Sequence, residues 1–489
     1  MRHVALQGKR RSSPRVPEVN AMPYNTVSGG FERASRLGHM NAIVRAMADR
    51  SSFYVPAEHV RDLTWLTPKI RSRSTLPMPD SADELVSAIG VDGSLMVVPV
   101  RDGLPSVRYG YAQAAAIWLD LEAMEAQRRE RFVDPVALSQ AVNSALVSYD
   151  LPVSGAYLRP GISLRDSWRE SIDELFRIKK VEVNRLDQSL LQLLMLLHGT
   201  PGAPAATLPV NCPHSGCTER DIPVSEAGRD CPGCGHRVLP TDALRIHEEV
   251  VEDASNEGPL GRLMQVVELL VTVGLTTLLW EQSRELLLRS TLFVLDGPMA
   301  VYGPPAKLRA RALDYFQRMA ATTPGAGPYL CGIEKTGIAV DYAASLARHG
   351  ALKPGDLLVV DAEVLGAITN SDNPTAYGSE TYWGRKFLYR SLDGRTVVIT
   401  VLPASGAPYD DHGGQPDPTA YPSLPTILDV IDRTGSAMYR DGIIPVALAH
   451  SKAAYPIGVG TDVLRLVARR KLGLDRAPTP PSTQAMRQG

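Results

Sequence analysis

The longest apolar stretch of the chain, LMQVVELLVTVGLTTLLW at residues 263–280, sets the strongest limit on the fold. It is close to the length that crosses a bilayer, but Gln265, Glu268 and threonines interrupt it, so we predict a buried helix and no membrane span. A helix that is apolar nearly all round must be covered by other elements on every side. The chain of 489 residues is long enough to supply two or three domains and a sizeable core around it.

The composition is that of an ordinary globular protein, with 44% hydrophobic residues, 21% charged residues and a formal net charge of -1. A nucleic-acid enzyme of this composition would have to concentrate its positive charge locally, in a groove. The basic N-terminal segment lacks an apolar core before a cleavage site, so we predict no secretory signal. Five cysteines, four of them clustered, favour a reducing compartment, and we expect a cytoplasmic protein.

Composition and periodicity divide the chain into six segments, which are residues 1–30, 31–133, 134–209, 210–258, 259–472 and 473–489. The two terminal segments are polar and aperiodic, and we predict that both are disordered. The second segment is predicted to form helices and then a strand hairpin, SLMVVPV and VRYGYAQAAAIWL, and the third is predicted to be helical with a linker at its end. The fourth is a small cysteine module. The fifth alternates strands and helices, so the fold class is α/β with α+β elements.

Four cysteines form two hooks, CPHSGC and CPGCGH. They are Cys212 and Cys217, separated by four residues, and Cys231 and Cys234, separated by two, with thirteen residues between the pairs. This spacing is typical of a tetrahedral Zn²⁺ site of four thiolates, which has no open position and is therefore structural. Two disulfides or free thiols are the alternative, and His214 or His236 could replace a thiolate. Cys331 lies outside the cluster and is predicted to be a buried thiol.

Two aspartates follow apolar runs and precede glycine, Asp92 in VDGS and Asp296 in VLDGP. Because Asp-Gly is a common hairpin turn, each of them taken alone favours a turn. On strands of one sheet, the two carboxylates would instead lie within bridging distance of Mg²⁺ or Mn²⁺. Asp361 and Glu363, in LLVVDAEVLG, form a similar pair at a strand end and are reserve candidates.

Glu268 and His450 are polar residues in apolar surroundings. Burying an unpaired carboxylate costs several kcal/mol, so Glu268 needs a metal, a cation or strong hydrogen bonds nearby. Arg262 or Arg284 would satisfy it equally well. His450 lies in the apolar stretch IIPVALAHSKAAYP, where a lone histidine is more often a satisfied core residue than a functional one.

Five segments resemble motifs of the NurA family of nucleases, and they occur in that family's order. They are AIGVDGSLMVVPVRDGLPSVRYGYAQAAAIW, GRLMQVVELL, LFVLDGPMAVYG, GIEKTG and IPVALAHSKAAYP. The resemblance implies an RNase H-like core, DNA cleavage with Mn²⁺ or Mg²⁺, a homodimer and a hexameric HerA ATPase as partner. The helical stretch and the zinc-ribbon-like module, at 134–258, are then an insertion beyond the simplest pattern of the family.

The resemblance also implies a catalytic centre. Its residues are Asp92, Glu268 and Asp296 as metal ligands, Lys335 near the scissile phosphate, and His450 as the group that completes the site. Because the spacing between Glu268 and Asp296 is loose, Glu281 or Glu285 could take the role of Glu268. Two cations about 4 Å apart would then activate a water and stabilise the leaving oxygen.

The resemblance thus implies a divalent-metal-dependent DNA nuclease that works beside a HerA-like ATPase in DNA end processing, repair or defence against foreign DNA. The alternative is a catalytically silent adaptor of a DNA translocase, in which the zinc-ribbon-like module docks a partner and the core is a scaffold. The presence of both Asp92 and Asp296 favours the enzyme. An enzyme that acts on RNA stays open, because a two-metal site hydrolyses phosphodiesters of either polymer.

Overall fold

The structure, a computed structural model, describes residues 42, 45, 62–76, 84–101, 104–123, 143–183, 186–283, 286–325, 327–369, 381–404, 418–435 and 444–474. Every feature below lies in the compact unit Asp62–Gly489. Of the two terminal segments predicted to be disordered, residues 1–30 and 475–489 fall outside the described residues, whereas Gly473 and Leu474 are described and form a turn. Also outside the described residues lie Arg284, Glu285 and nearly all of the N-terminal helices predicted before Asp62, of which residues 42 and 45 are described and helical.

A nine-stranded mixed sheet forms the centre of this unit. Its strands are β1 (Ile70–Ser72), β2 (Ser87–Arg101), β3 (Leu104–Asp120), β4 (Asn143–Ser154), β5 (Thr291–Asp296), β6 (Tyr329–Glu334), β7 (Asp356–Val359), β8 (Arg385–Arg390) and β9 (Thr396–Val401). They are arranged in the order β1-β7-β8-β9-β6-β5-β2-β3-β4. Strand β5 is parallel to both of its neighbours, β2 and β6, and the other pairs are antiparallel.

Eight helices of the described residues accompany the sheet. They are α1 (Leu164–Ile178), α2 (Leu190–Leu197), α3 (Glu257–Gln282), α4 (Leu308–Thr322), α5 (Ile338–Arg348), α6 (Ala362–Thr369), α7 (Leu424–Thr434) and α8 (Ile444–Lys471). Helix α3 contains the long apolar run, and 83% of its most apolar 18-residue stretch is buried inside the protein. The prediction of a buried helix is confirmed, and the sheet and its helices supply the cover that such a helix requires.

The predicted hairpin is confirmed as the pair β2–β3, but VDGS does not form a turn. Asp92 pairs with Ala115 and Gly93 with Ala114 in the middle of the ladder. The turn that Asp-Gly favours locally is therefore not formed at Asp92. The apolar, partly β-branched run after Gly93 continues the ladder, and this long-range pairing overrides the local turn preference of Asp-Gly.

The helical prediction for residues 134–209 is wrong in two stretches. Residues 143–154 form β4, whose buried side chains alternate from Ala145 to Val153, a period of two that a helix cannot give. Between α1 and α2, Lys180–Val183 pairs with Leu186–Ser189 as a short hairpin. The segment therefore contributes an edge strand to the central sheet in addition to two helices.

The sheet is covered on both faces, and the alternation along its strands decides which side chains meet. In β5, Phe293 and Leu295 belong to the core that contains α3, whereas Leu292 and Val294 belong to the core that contains α7. Because side chains alternate along a strand, the Asp296 side chain lies on the same face of β5 as Leu292 and Val294. Helix α8 lies against this same face of β2, because a Cβ on Gly90 would overlap the carbonyl oxygen of Pro445 in α8.

Candidate metal centres

Strand register places Asp92 and Asp296 side by side. The parallel pairing of β5 with β2 sets Leu295 opposite Val91, so the next residue of each strand is an aspartate, and both face α8. On the other side of β5, Asp296 is paired with Ile333 of β6, two residues before Lys335. The pairing of strands that are distant in sequence thus assembles two carboxylates and one ammonium at one edge of the sheet.

Asp92, Asp296 and His450 form a compact donor cluster, in which one ligand atom of each lies within 4.8 Å of the others. The Nδ1 atom of His450 is 2.7 Å from Asp92 Oδ2 and 3.8 Å from Asp296 Oδ2. Lys335 Nζ lies 2.7 Å from Asp296 Oδ2. Asp92 is buried, with 5% of its surface exposed, whereas the His450 side chain is 58% exposed. The structure therefore brings together four of the five residues expected in the catalytic centre.

Glu268 reaches this region from the opposite face of β2. A Cβ on Gly93 would overlap Glu268 Oε1 and lie 2.8 Å from Met264 Cγ, so glycine is what admits the glutamate against the strand. Glu268 is not part of the cluster within 4.8 Å. Arg262, one of its expected partners, lies 3.8 Å from Glu249 instead.

Glu281, the described alternative to Glu268, does not approach the aspartates along helix α3. It lies thirteen residues further on, which corresponds to about 20 Å of helix, and its charge acts on Tyr315. Among the described glutamates of α3, Glu268 is therefore the one that faces the aspartates.

Two carboxyl groups of this region, Asp92 and Glu268, have raised pKa values. Burial, with the charge of Asp296, raises the pKa of Asp92 to about 7, although the hydrogen bond with His450 opposes the change. Burial and the charges of Asp92 and Asp296 raise the pKa of Glu268 well above its usual range, against a backbone hydrogen bond with Gly93. Asp92 and Asp296 thus face one another beside Lys335, with Glu268 across strand β2. A divalent cation would reverse the sign of this interaction and favour the charged forms.

We expect the protein without added Mn²⁺ or Mg²⁺ to lose stability as the pH rises from about 4 to about 7. The folded pKa of Asp92 lies above the unfolded value of about 3.9, so in this range the folded state keeps a proton that the unfolded chain releases. The stabilising contribution of the protonated Asp92 carboxyl is complete below about pH 4 and absent above about pH 7. In urea unfolding, the difference in the free energy of unfolding between wild type and Asp92→Asn should change by up to about 3 kcal/mol between pH 5 and pH 7. Parallel pH profiles would contradict this assignment.

Two residues around this centre, Gln113 and Tyr149, were not predicted from the sequence. The buried amide of Gln113 donates to the carbonyl of Ala453 in α8 and accepts from the Tyr111 hydroxyl at 2.9 Å, which ties the helix of His450 to β3. Tyr149 is buried next to the charge of Glu268, and its hydroxyl has no hydrogen-bond partner among the described residues. The one available signal was Gln113 itself, a polar residue inside the apolar run of β3.

Gly90→Ala is expected to displace α8 and with it His450. The new Cβ would overlap the backbone of Pro445, which cannot move independently of the helix, and would lie 3.3 Å from the Ala449 Cβ. Thermal unfolding should show destabilisation of about 1–3 kcal/mol and a reduced stabilisation by Mn²⁺. The matched control is Gly261→Ala in α3, where the new Cβ would meet Leu95 Cδ2 at an ordinary 3.6 Å. That change should be neutral or stabilise the protein by up to about 1 kcal/mol. A Gly90→Ala protein that matches wild type in both readouts would refute this view of the helix contact.

The reserve pair, Asp361 and Glu363, performs a structural role elsewhere. Both carboxylates form ion pairs with Lys69, Glu363 at 3.0 Å. Asp361 also accepts a hydrogen bond of 2.9 Å from the Val364 amide at the start of α6. Their charges are therefore used to fasten the segment before β1 to the sheet.

The four clustered cysteines form a second donor set, with all their sulfur atoms within 4.8 Å of one another. The Sγ–Sγ distances are 3.6 Å for Cys212 and Cys234 and 3.7 Å for Cys217 and Cys231. A tetrahedron with Zn–S bonds of about 2.3 Å has edges of about 3.8 Å. The thiols are all free, so the alternative of two disulfides is not observed. The geometry fits one tetrahedral metal ion.

The hooks are shaped by short hairpins, Leu208–Val210 with Ile222–Val224 and Arg229–Asp230 with Arg237–Val238. Burial raises the pKa of the Cys231 thiol, but backbone hydrogen bonds from Cys234 and Gly233, together with hydrogen bonds with the Cys212 and Cys217 thiols, outweigh it and bring the pKa to about 7. His236 Nε2 lies 3.0 Å from Arg169 Nη1, outside the sulfur cluster. The donor set is therefore four sulfurs, and neither His214 nor His236 belongs to it.

Cys331, in β6, is fully buried in the core, and burial raises the pKa of its thiol. The expectation of a buried thiol outside the cluster is confirmed.

No protein-family model matches this sequence, and no curated protein matches it. Among solved structures, the chain is similar to the NurA nuclease from Sulfolobus solfataricus, with 11% identity, 91% of this chain and 98% of that chain covered, and a TM-score of 0.36. A second NurA structure has 11% identity, 90% and 99% coverage and a TM-score of 0.33. A structure of NurA with manganese has 12% identity, 85% and 94% coverage and a TM-score of 0.26. Likeness at this level assigns neither a family nor an activity to this chain.

Proposed function

We propose that this protein is a divalent-metal-dependent nuclease that hydrolyses phosphodiester bonds of DNA. The observation that carries the proposal is the convergence of Asp92, Asp296 and His450, from three elements distant in sequence, into one donor cluster with Lys335 at its side. The resemblance of five sequence segments to NurA motifs supports DNA as the substrate.

The order of the strands around the site supports an RNase H-like core. Strands β4, β3 and β2 form an antiparallel meander, and β5 and β6 continue the sheet from β2 in parallel. Asp92 lies on the central strand of these five and Asp296 at the end of its parallel neighbour. Sites of this kind lie at the carboxyl ends of parallel strands, where side chains from several strands converge.

The donor set fits a hard cation such as Mn²⁺ or Mg²⁺, which Asp92 and Asp296 would hold, and Glu268, on the other face of β2 and outside the cluster, would add negative charge behind them. When bound, two such cations would activate a water and stabilise the leaving oxygen. Lys335 can turn its ammonium from Asp296 to a phosphate oxygen and neutralise charge there. His450, exposed at the mouth of the site, adds an imidazole ligand or moves a proton to solvent.

A cleft of about 540 Å³ gives a substrate access to this centre. Its wall contains Asp296, Lys335 and His450, and beyond them Lys386 and Thr336. Lys386 Nζ lies 2.8 Å from Glu334 and Lys335 Nζ lies 2.7 Å from Asp296, so both lysines are ion-paired, and Lys335 is the one whose partner is a proposed metal ligand. The ammonium group beside the metal ligands, Lys335, is then the group we assign to the phosphate.

We further propose that the cysteine cluster binds one structural Zn²⁺ in a zinc-ribbon-like module. Four sulfur ligands leave no coordination position for a substrate, so this ion would hold the fold and take no part in hydrolysis.

The assembly is proposed from the sequence resemblance alone: a cytoplasmic homodimer that works beside a HerA-like hexameric ATPase in DNA end processing, repair or defence. Light scattering should give the mass of two chains, and the ATPase should co-purify. A monomer at every concentration that captures no ATPase would refute this assembly.

Digestion of end-labelled linear DNA tests the proposed activity. We expect fragments with Mn²⁺ or Mg²⁺ and intact DNA with a chelator, and a labelled RNA of the same sequence in parallel identifies the preferred polymer. A protein that cuts neither polymer, with or without a neighbouring ATPase, would instead be the catalytically silent adaptor.

A further inference from the structure

A second cleft, of about 840 Å³, lies between the cysteine module and the start of helix α4, and we call it the Arg311 cleft. The basic residues that line it are Arg245, Lys307, Arg309, Arg311 and Arg318. The opposite wall includes Pro209, Asn211 and Asp221 from the module. The proposed hydrolysis uses none of these residues.

The Arg311 cleft contains positive charge that the protein itself does not neutralise. Lys307 and Arg311 are exposed, and neither has an ion-pair partner in the part of the chain that the structure describes. Two of the lining carboxylates are already used: Asp242 forms a bidentate pair with Arg169 at 2.8 Å, and Asp314 lies 2.9 Å from Arg318. The unpaired lysine and arginine therefore remain available to an anion.

The start of helix α4 strengthens the preference for an anion. Its first turn contains no acidic residue, and Lys307 at the N-cap makes no side-chain capping bond. The positive end of a helix usually carries acidic side chains, so basic residues there are unfavourable until a negative group binds. The positive end of the helix and the basic side chains would then act on the same ligand.

The chain connects the Arg311 cleft to the catalytic cleft. Gly297, Pro298 and Tyr302 line the catalytic cleft, and Ala306 and Lys307 of the same loop line the Arg311 cleft. The eleven residue-to-residue steps from Asp296 to Lys307 span at most about 40 Å. At about 3.4 Å per nucleotide, a strand of about twelve nucleotides is long enough to reach from one cleft to the other.

We propose that the Arg311 cleft binds the phosphodiester backbone of the nucleic-acid strand that is cut at Asp92 and Asp296. The proposal rests on the proposed function for its choice of ligand. Lysine and arginine contacts to phosphates carry no base information, so the cleft contributes affinity for any sequence. For single strands, each phosphate contact changes the slope of log K against log salt by about 0.7, which is about fivefold in affinity at 0.1 M salt.

The test is the double variant Lys307→Ala with Arg311→Ala in an Asp92→Asn background, which does not cut. Binding of a labelled 20-nucleotide single strand is measured by anisotropy between 0.05 and 0.3 M salt, with DNA and with RNA of one sequence. We expect a loss of about 25-fold at 0.1 M and a slope smaller by about 1.4, for both polymers. Arg348→Ala with Lys353→Ala is the matched control, since it removes the same two charges from exposed residues that line neither cleft.

An unchanged affinity and slope in the double variant would overturn the proposal. So would an equal loss in the control, which would mean that only net charge matters, or the absence of binding in the Asp92→Asn parent. Cleavage by the wild-type protein distinguishes a failure of the Arg311 cleft from a failure of the nuclease assignment. If wild type cuts DNA while the double variant binds normally, only the assignment of the Arg311 cleft fails. If wild type does not cut but the double variant loses binding, the nuclease assignment fails and the cleft stands.

Discussion

Asp92→Asn is expected to abolish DNA cleavage, with a loss of at least three orders of magnitude in the presence of Mn²⁺. Asparagine keeps the size of the side chain but removes the negative charge that would hold the cation between β2 and β5. Metal affinity, water activation and stabilisation of the leaving oxygen would then fail together. Asp296→Asn should have an effect of the same order, because its carboxylate would hold the same cation and also positions Lys335 at 2.7 Å.

A DNA-binding measurement distinguishes loss of cleavage chemistry from unfolding of the variant. DNA should bind to Asp92→Asn as tightly as to wild type or more tightly, since a negative charge has been removed from a phosphate-binding site. Asp341→Asn is the control, because it removes one carboxylate from an exposed position of α5 outside both clefts, and it should cut at the wild-type rate. Cleavage by Asp92→Asn at the wild-type rate in Mn²⁺ would refute the nuclease assignment of this site.

The second large effect concerns the cysteine module. Cys231→Ser with Cys234→Ser should lower the zinc content from about one ion per chain to none and destabilise the module by several kcal/mol, since metal binding of this kind is also folding energy. Leu208, Val224 and Val238 of the module belong to the same core as α3, so the damage should spread beyond the hooks. Elemental analysis and thermal unfolding measure both consequences.

Cys331→Ala provides the control for zinc content. It removes a buried thiol outside the cluster and should leave about one zinc per chain, even if it lowers stability through the cavity that it creates. Wild-type protein prepared without chelator and free of zinc would contradict the assignment. Retention of zinc by the double serine variant would exclude these four sulfurs as the ligand set.

Local patterns in the sequence were sufficient for the elements that depend on local physics. The apolar run of α3 could only be a buried helix or a membrane span, and its polar interruptions decided between them. The two cysteine hooks fixed a four-sulfur cluster, because short loops that contain glycine force the sulfurs to converge. The hairpin β2–β3 followed from its alternation and turn residues.

Long-range pairing is where the sequence was insufficient. VDGS has the composition of a turn, and only its pairing with Ala114 and Ala115 of β3 keeps Asp92 inside a strand. The region of β4 was mistaken for helix because neighbouring apolar segments suggested one continuous pattern.

The candidate site was predicted as a set of residues, but its geometry was not. Nothing in the sequence shows that Glu268 approaches β2 from the face opposite to Asp92, or that Gly93 makes room for it. The role of Gly90 depends on helix α8, more than 350 residues away in the sequence, so no local pattern contains it.

Anomalous diffraction from a crystal soaked in Mn²⁺ tests the central claim, a divalent-metal centre between two strands, most directly. We expect a manganese peak in contact with both Asp92 and Asp296, with a second ion about 4 Å away when a DNA strand is bound. The Asp92→Asn crystal should lack the first peak while zinc remains at the four cysteines. A wild-type crystal with zinc in the module and no manganese at the aspartates would contradict the account.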